Sequence, residues 1–160
     1  MRKKVLVTGG GSGIGFGFAE KFMELGSTVI ICGRRADVLQ GVKDKYPSII
    51  TRVCDLQSES SRIDLFNWIQ AEHSDLDMLV NNAGIQHWAN FEDEDFMAKA
   101  KQEFEINVEA PIHLSKLFIN LPALKTIMNV SSGLSFVPLA KVSTYSASKA
   151  YIHSFTASLR

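Results

Sequence analysis

The segment KVLVTGGGSGIG, residues 4–15, joins a short apolar run directly to a glycine-rich turn. An amphipathic stretch follows at once, so the segment predicts a buried strand, a tight turn and the start of a helix. Gly9, Gly13 and Gly15 matter most, because they let the chain turn sharply and let its backbone approach a pyrophosphate. The helix N-terminus would offer free N–H groups and a positive dipole end to that anion. A tight turn that binds nothing is the alternative.

Other chemistries of a glycine-rich turn do not fit these residues. A P-loop needs a lysine followed by serine or threonine after the last glycine, and no lysine lies near this turn. A nucleophile elbow centred on Ser12 would need glycine where Ile14 stands. Ser12 and Ile14 are therefore predicted to line the nucleotide site as loop and helix-start residues, and Ser12 is not a nucleophile.

Beyond this turn, short apolar runs alternate with longer amphipathic stretches. The runs predict strands at residues 4–8, 28–32, 49–54, 78–81 and 126–131. The stretches predict helices at residues 14–25, 36–45, 61–71, about 94–121 and from about 143, with Pro111 bending the long helix or marking its restart. Nearly continuous apolar strands that alternate with helices favour a parallel sheet covered on both faces. We therefore expect one α/β domain over residues 1–160, a doubly wound parallel sheet of Rossmann-like type.

Composition and charge exclude several classes of protein. Seventeen basic residues balance seventeen acidic ones, so we expect neither nucleic acid nor a membrane surface as a partner. No apolar run reaches the roughly 18 residues that a membrane-spanning helix needs. Cys32 and Cys54 form no zinc or redox motif and the four histidines are scattered, so no metal site is expected. Two buried thiols in a reducing cytosol are the simplest interpretation, which predicts a cytoplasmic protein.

The end of the second predicted strand bears on the choice of nucleotide. In dinucleotide-binding folds an acidic residue near this point bonds the 2′-hydroxyl of NAD, whereas an arginine accommodates the 2′-phosphate of NADP. The strand ends in Gly33, Arg34 and Arg35, and the next carboxylate is Asp37 in the following helix. Arg34 can form charge-assisted bonds to a phosphate. A solvated surface pair of arginines is the alternative, but next to the glycine-rich turn we favour NADP(H) over NAD(H).

A serine, a tyrosine and a lysine near the end of the chain form the candidate catalytic group. Tyr145 and Lys149 are four residues apart, which places them on one face of a helix. A nearby ammonium favours the phenolate and would make the tyrosine a usable proton donor or acceptor for a carbonyl or alcohol. Ser132, at the end of the fifth predicted strand, could bond the same substrate oxygen. A lone tyrosine–lysine pair at this spacing is common on helices, so the pair alone does not identify a site.

Together these motifs resemble the short-chain dehydrogenase/reductase family. The resemblance rests on motifs in one order and register across the chain: the turn of residues 8–15, Asn82-Ala83-Gly84, Asn107, Ser132, Tyr145 and Lys149. Residues 31–34, 82–86 and 129–134 are most similar to the bacterial DltE-like subgroup. The family implies an NADP(H)-dependent oxidoreductase that interconverts a carbonyl and an alcohol.

The resemblance also implies roles at the matching positions. Tyr145 would be the general acid/base, Ser132 would orient the carbonyl, and Lys149 would lower the tyrosine pKa and bind the nicotinamide ribose. Asn107 would hold a water that links the lysine to solvent, and Asp55 would contact the adenine. Asn82, Ala83 and Gly84 would form the floor of the cofactor site. For Asn82, a purely structural amide that bridges two strands is an equally good interpretation.

Family members usually continue beyond the helix in which this sequence stops, so we expect a chain that is C-terminally truncated relative to the family. In the strand order 3-2-1-4-5-6, the absence of strand 6 leaves strand 5 as an edge. The long helix and the Tyr145 helix are the family's usual subunit contacts, which implies a homodimer or homotetramer.

Two functions of different classes remain open on the sequence. The first is the oxidoreductase, favoured because a mere binding protein has no need of Ser132, Tyr145, Lys149 and Asn107 together. The second is a nucleotide-binding sensor or structural module without turnover, or an inactive fragment of the enzyme. The substrate pocket is expected to be mainly apolar, and we predict that its mouth is formed by Ile85, Gln86, Trp88, Leu134, Phe136 and Val142. That several of these residues simply pack the core is an equally good interpretation.

Overall fold

A five-stranded parallel sheet forms the centre of the protein in a computed structural model that describes residues 3–159. The strands are β1 (Lys4–Thr8), β2 (Thr28–Gly33), β3 (Ile50–Val53), β4 (Met78–Asn81) and β5 (Thr126–Asn129). They lie in the order β3-β2-β1-β4-β5, and every adjacent pair is parallel. The predicted α/β doubly wound fold is confirmed.

Six α-helices connect these strands within residues 3–159. They are α1 (Gly13–Glu24), α2 (Ala36–Lys45), α3 (Glu59–Glu72), α4 (Phe96–Phe104), α5 (Ala110–Phe118) and α6 (Ser143–Ser158). A π-helical segment, Glu105–Glu109, joins α4 to α5 without a break. Two short 3₁₀ turns, Gly133–Ser135 and Ala140–Val142, lie between β5 and α6.

The sheet separates two apolar cores, because successive side chains of a strand point to opposite faces. On one face Val5, Val7 and Ile31 pack with residues of α1 and α2. On the other face Leu6 and Ile30 pack with residues of α3 and α5. Both faces of the central strands are buried, which explains why these strands are almost continuously apolar in sequence.

The long helix predicted over residues 94–121 is divided where Pro111 enters it. Proline has no N–H to donate to the carbonyl of Asn107, four residues earlier, so a regular α-helix cannot pass through this point. The chain widens into the π-helical segment, where the N–H of Ala110 donates to the carbonyl of Glu105, and α5 then begins with Pro111 in its first turn. Pro111 therefore marks a restart of the helix, which is one of the two outcomes predicted.

Candidate active site

An open cleft of about 420 Å³ lies at the carboxyl ends of the strands. It straddles the crevice between β1 and β4, where the strand order reverses and where doubly wound folds bind their ligands. Eleven of the site residues predicted from the sequence line it: Gly9, Ser12, Ile14, Gly15, Arg34, Asp55, Asn82, Ala83, Gly84, Tyr145 and Lys149. Three do not: Gly13, Asn107 and Ser132.

The glycine-rich turn brings bare backbone to the wall of the cleft. Gly9 has a φ of +65°, in the left-handed region, and its N–H donates to the carbonyl of Cys32 at 2.8 Å. A Cβ at Gly15 would lie 2.3 Å from the carbonyl oxygen of Gly9 and 2.4 Å from Nδ2 of Asn82. The first turn of α1 therefore sits directly against the ends of β1 and β4, and Ile14 and Gly15 in that turn line the cleft.

Thr8 and Asn82 hold the crevice together. The Thr8 hydroxyl donates to the carbonyl of Val80 at 3.3 Å and accepts from the N–H groups of Asn82 and Ala83 at 3.0 and 3.1 Å. The Asn82 side chain donates to the carbonyl of Thr8 at 3.0 Å. Asn82 thus bridges two strands and also lines the cleft. Thr8 is not among the site residues predicted from the sequence, although it immediately precedes the first glycine.

Two arginines stand at the end of β2. Arg34 and Arg35 are both exposed and both line the cleft, and Nη2 of Arg35 donates to the hydroxyl of Ser12 at 3.3 Å. Two guanidinium groups beside the glycine-rich turn, without a carboxylate at the strand end, suit an anion rather than a neutral hydroxyl pair. Of the two, only Arg34 is among the site residues predicted from the sequence. The position of Arg35 directly after it was the available signal for Arg35.

The loop after β3 lines the cleft beside these arginines, because β3 pairs with β2. The N–H of Asp55 donates to the Ser61 hydroxyl at 3.0 Å, and its carboxylate accepts from the N–H of Gln57 at 3.1 Å. Behind this loop the buried guanidinium of Arg62 donates to the carbonyl of Leu56 at 2.6 Å. Helix α3 therefore fixes the position of Asp55, and Arg62, which the sequence analysis missed, is the buried anchor.

Tyr145 and Lys149 lie one turn apart on α6 and both face the cleft. Nζ of Lys149 is 5.7 Å from the centroid of the Tyr145 ring and donates to the carbonyl of Val130 at 2.9 Å. Burial lowers the pKa of Lys149 below its ordinary value, because the charged form loses its hydration. The Ser131 hydroxyl donates to the backbone carbonyl of Lys149 at 2.9 Å, which ties the end of β5 to this helix.

Asn107 is buried behind the cleft, in the π-helical segment. Its carbonyl oxygen accepts from the N–H of Ile85, and its amide donates to the carbonyl of Ile85, each at 2.8 Å. The amide also donates to the Ser148 hydroxyl at 3.1 Å. A Cβ at Gly84 would lie 3.2 Å from the Asn107 side chain and 3.3 Å from Nζ of Lys149, so Gly84 makes room for both. Asn107 thereby connects the cleft floor to α6.

Glu103 is a second buried connection, which the sequence did not reveal. Its side chain is completely buried, which is unusual for an acidic group and requires hydrogen-bond partners. One oxygen accepts from the N–H of His87 at 2.6 Å and the other from the Thr144 hydroxyl at 2.5 Å. Thr144 immediately precedes Tyr145, so Glu103 braces the start of α6 against the loop after β4. In sequence Glu103 resembles any acidic residue on an amphipathic helix. Its spacing of four residues from Asn107, which places the two side chains on one helix face, was the available signal.

Ser132 and five of the six predicted mouth residues are at least partly exposed. The Ser132 hydroxyl accepts from the N–H of Leu134 at 3.2 Å, which leaves its own proton free to donate. Ile85 and Gln86 line the cleft, and Trp88 and Phe136 are exposed. Val142 is only 1% exposed, so the prediction that it forms the mouth is wrong. It packs inside because the 3₁₀ turn before α6 directs it inward.

Comparison with known proteins shows the family of this chain. A family model described as "short chain dehydrogenase" matches residues 3–160. The chain belongs to the short-chain dehydrogenase family. It is 44% identical over 163 residues to the uncharacterized oxidoreductase DltE of Bacillus subtilis, and 31% identical over 168 residues to an NADP-dependent 3-hydroxy acid dehydrogenase, YdfG, of Salmonella typhi.

Solved structures of this family share the fold. A short-chain dehydrogenase from Streptomyces avermitilis superposes with a TM-score of 0.91 at 29% identity, over 99% of this chain and 59% of its own. The closed form of serine dehydrogenase complexed with NADP⁺ superposes with a TM-score of 0.88 at 26% identity, over 98% of this chain and 65% of its own. For DltE and for YdfG alike, the match covers 98% of this short-chain dehydrogenase chain. The chain spans 64% of the length of each of these two relatives.

No helix within residues 3–159 is both long enough and apolar enough to cross a lipid bilayer. In the same range, no three histidine, cysteine or acidic side chains are grouped so that they could hold a metal ion.

Proposed function

We propose that this chain forms the nucleotide-binding and catalytic part of an NADP(H)-dependent oxidoreductase that interconverts a carbonyl and an alcohol. The observation that carries the proposal is that Tyr145 and Lys149 line the same cleft as the glycine-rich turn. A proton donor thus faces the cavity in which an anionic dinucleotide would lie. The relatives described as oxidoreductases and dehydrogenases support this class of reaction.

The cleft fits a dinucleotide in three respects. Bare backbone at Gly9 and Gly15 and the N-terminus of α1 suit a pyrophosphate. Arg34 and Arg35 suit a 2′-phosphate, which favours NADP(H) over NAD(H). Asp55 lines the cleft after β3, the strand next to β2, where it would contact the adenine. One relative is described as NADP-dependent and one similar structure contains NADP⁺, in agreement with this preference.

The reaction divides between the cofactor and three side chains of this chain. Bound NADP(H) would supply or accept the hydride. Tyr145 would give its hydroxyl proton to the carbonyl oxygen during reduction and take it back during oxidation. The Ser132 hydroxyl, which already accepts from Leu134, would donate a hydrogen bond to the same oxygen and stabilise the developing negative charge. The Lys149 ammonium, held against the Val130 carbonyl, would favour the phenolate through its charge.

Tyr145→Phe tests the catalytic assignment. NADPH oxidation would be followed by nicotinamide absorbance with a panel of carbonyl compounds that includes 3-oxo acids, the class suggested by one relative. We expect kcat/KM to fall by about a hundredfold or more, as the loss of a general acid predicts, with NADPH affinity unchanged. Tyr151→Phe, an exposed tyrosine of the same helix, is the matched control and should retain activity. Full activity in Tyr145→Phe would refute the role; nucleotide binding without turnover in the wild type would support the sensor alternative.

We also propose that the protein self-associates through α4 and α6. An apolar groove of about 480 Å³ lies between these helices, and Met97, Phe104 and Tyr151 in its lining are 73%, 54% and 50% exposed. Contiguous exposed apolar surface of this kind commonly marks a protein interface. Sedimentation should show a dimer or tetramer, and Phe104→Asp should dissociate it, whereas Phe91→Asp should not. A wild-type monomer at all concentrations would contradict this interface.

A further inference from the structure

The side chain of Asn107 bridges the loop after β4 to helix α6. It bonds the N–H and the carbonyl of Ile85, each at 2.8 Å, and donates to the Ser148 hydroxyl at 3.1 Å. The Ser148 hydroxyl in turn donates to the backbone carbonyl of Tyr145 at 2.7 Å. The bridge from Asn107 therefore extends from the loop to the backbone of the tyrosine that lines the cleft.

Glu103 forms a second bridge between the same two segments. One oxygen of its carboxylate accepts from the N–H of His87 at 2.6 Å, and the other accepts from the Thr144 hydroxyl at 2.5 Å. His87 lies two residues after Ile85 in the loop, and Thr144 directly precedes Tyr145 in α6. The two bridges are therefore neighbours, and the bridge from Glu103 is attached to the first turn of α6.

The burial of Glu103 makes these two hydrogen bonds its defining contacts. Its side chain is completely buried, and it takes part in none of the ion pairs within residues 3–159. A buried carboxyl group without a counter-charge costs free energy, and an apolar side chain would fill the same space at lower cost. A carboxylate can, however, accept at both oxygens at once, and both partners here are donors. The position therefore has the chemistry of a double acceptor.

The segments that Glu103 connects form two walls of the cleft. Gln86, directly before His87, lines the cavity from the loop, and Tyr145 lines it from α6. The N–H of Ala89 in the same loop also donates to the carbonyl of Lys141 at 3.0 Å, just before α6. The separation between the two walls is thus set by this backbone bond and by the bridges from Glu103 and Asn107.

We propose that Glu103 is a positioning residue, whose two hydrogen bonds fix Tyr145 opposite the loop that borders the substrate. This role rests on the proposed function, in which Tyr145 gives a proton to a carbonyl oxygen bound between these walls. A proton donor must lie within about 2.6–3.2 Å of that oxygen, and a misplacement of about 1 Å can slow a reaction about a hundredfold. Glu103 does not line the cleft, so it acts through Thr144 and His87.

Thr144→Val tests the role with a small change, because it removes the hydroxyl and keeps a branched side chain. We expect kcat and kcat/KM for a carbonyl substrate to fall together by about tenfold or more, while NADPH affinity stays unchanged. Thr144→Ser keeps the hydroxyl and should retain activity.

Thr156→Val is the matched control for stability. It makes the same substitution on α6 and removes a hydroxyl that accepts from Asn129 at 2.9 Å, but far along the helix from Tyr145. It should keep its kcat at a temperature at which every variant is folded. An equal loss of kcat in Thr144→Val and Thr156→Val, or full activity in Thr144→Val, would overturn the proposal.

Variants of Glu103 test the acceptor itself. Glu103→Gln can keep both contacts and should retain kcat, whereas Glu103→Ala should lose at least as much as Thr144→Val. Adding Thr144→Val to Glu103→Ala should lower kcat no further, because both changes break the same hydrogen bond. Losses that multiply in the double variant, or a glutamine variant as slow as the alanine variant, would contradict positioning through this bond.

Hydrogen exchange followed by mass spectrometry needs no turnover, so it separates this proposal from the proposed function. With labelling times too short for global unfolding, peptides that cover residues 85–89 and 143–148 should exchange faster in Glu103→Ala than in the wild type. Peptides from β2 should not change, and Glu103→Gln should restore the protection. No change, or equal acceleration throughout the chain, would overturn the proposal. Local loss of protection in a protein that binds NADPH but reduces no carbonyl would support the bridge and refute the oxidoreductase.

Discussion

Gly15 is a position where the structure leaves no room for any side chain. The glycine-rich turn was predicted from the need of a backbone to approach a pyrophosphate, and Gly15 has an additional reason to be glycine. Any Cβ there would collide with the Gly9 carbonyl and the Asn82 amide. The close packing of α1 on β1 and β4 that shapes the cleft therefore depends on a missing side chain.

Gly15→Ala is expected to destabilise the protein by about 1–3 kcal/mol, the usual cost of overpacking, and to weaken NADPH binding. Gly17→Ala is the matched control on the same helix, because a Cβ there has no neighbour within 4 Å. That change should stabilise the protein by about 0.5–1 kcal/mol. Denaturant unfolding of both variants measures the difference; equal effects would show that the packing at Gly15 is not as tight as described.

Glu103 is a completely buried acidic residue, and substituting it tests how much its hydrogen bonds stabilise the fold. Glu103→Ala leaves the His87 N–H and the Thr144 hydroxyl without their partner, at a cost of about 1–3 kcal/mol for each buried group. Glu103→Gln can keep both contacts, since its oxygen accepts from His87 and its amide can donate to Thr144. Denaturant unfolding should show a large loss in the alanine variant and most of it recovered in the glutamine variant. Equal losses would mean that the negative charge itself is required.

At the scale of elements, the sequence predicted all five strands, but it predicted α4 and α5 as one long helix and missed several element ends. Residues 36–45 and 78–81 were predicted with the observed bounds, because apolar periodicity and turn residues agree there. Helix α3 begins two residues earlier than predicted because the Ser58 hydroxyl caps it, accepting from the N–H of Ser61. Strand β5 ends two residues earlier because Ser131 turns to bond with the backbone of α6. These ends depend on tertiary contacts that a linear pattern does not contain.

The π-helical segment is another feature that the pattern could not supply. Pro111 predicts that the helix is bent or restarted near this point, but it does not predict a π-helical segment. The widened turn contains Asn107, whose side chain reaches back to the loop after β4. Local helix defects of this type are frequent at functional sites, and here the defect lies between the cleft and α5.

Helices α3 and α5 are joined by a contact that depends on pH. Nε of Arg62 donates to Nδ1 of His113 at 3.0 Å, which requires neutral histidine. Burial and then the Arg62 charge lower the pKa of His113 below its ordinary value. The unfolded chain therefore takes up this proton first as pH falls. The contribution of His113 to stability is complete above about pH 6.5 and is lost as pH drops toward the lower folded pKa.

His113→Asn keeps an acceptor but removes the titration. Thermal unfolding between pH 7.5 and 5 should show that the variant loses less stability than the wild type, by about 1 kcal/mol, roughly the value of one hydrogen bond. His153→Asn, at an exposed position on α6, should behave like the wild type. An unchanged acid sensitivity in His113→Asn would show that the contact to Arg62 does not set it.

At the scale of the whole molecule, the strand order and the position of the cleft could be predicted from the sequence. The buried residues Arg62 and Glu103, which hold the cleft's surrounding segments in place, could not. Alternation of strands and helices is a local signal, and the position of the crevice follows from the strand order. Arg62 and Glu103 are buried charges in segments that resemble solvated helix surfaces in sequence. Their roles become visible only when α3, α4 and α6 are packed together.

A fluorescence titration of the purified chain with NADPH and NADH would test whether this cleft binds NADP(H). We predict that NADPH binds at least tenfold more tightly than NADH. Arg34→Asp should remove that preference, since a charged hydrogen bond contributes about 1.5–3 kcal/mol. Arg52→Asp, which makes the same charge change on β3 but outside the cleft, should leave it intact. Equal affinity for the two nucleotides, or no binding of either, would refute the assignment of NADP(H) to this cleft.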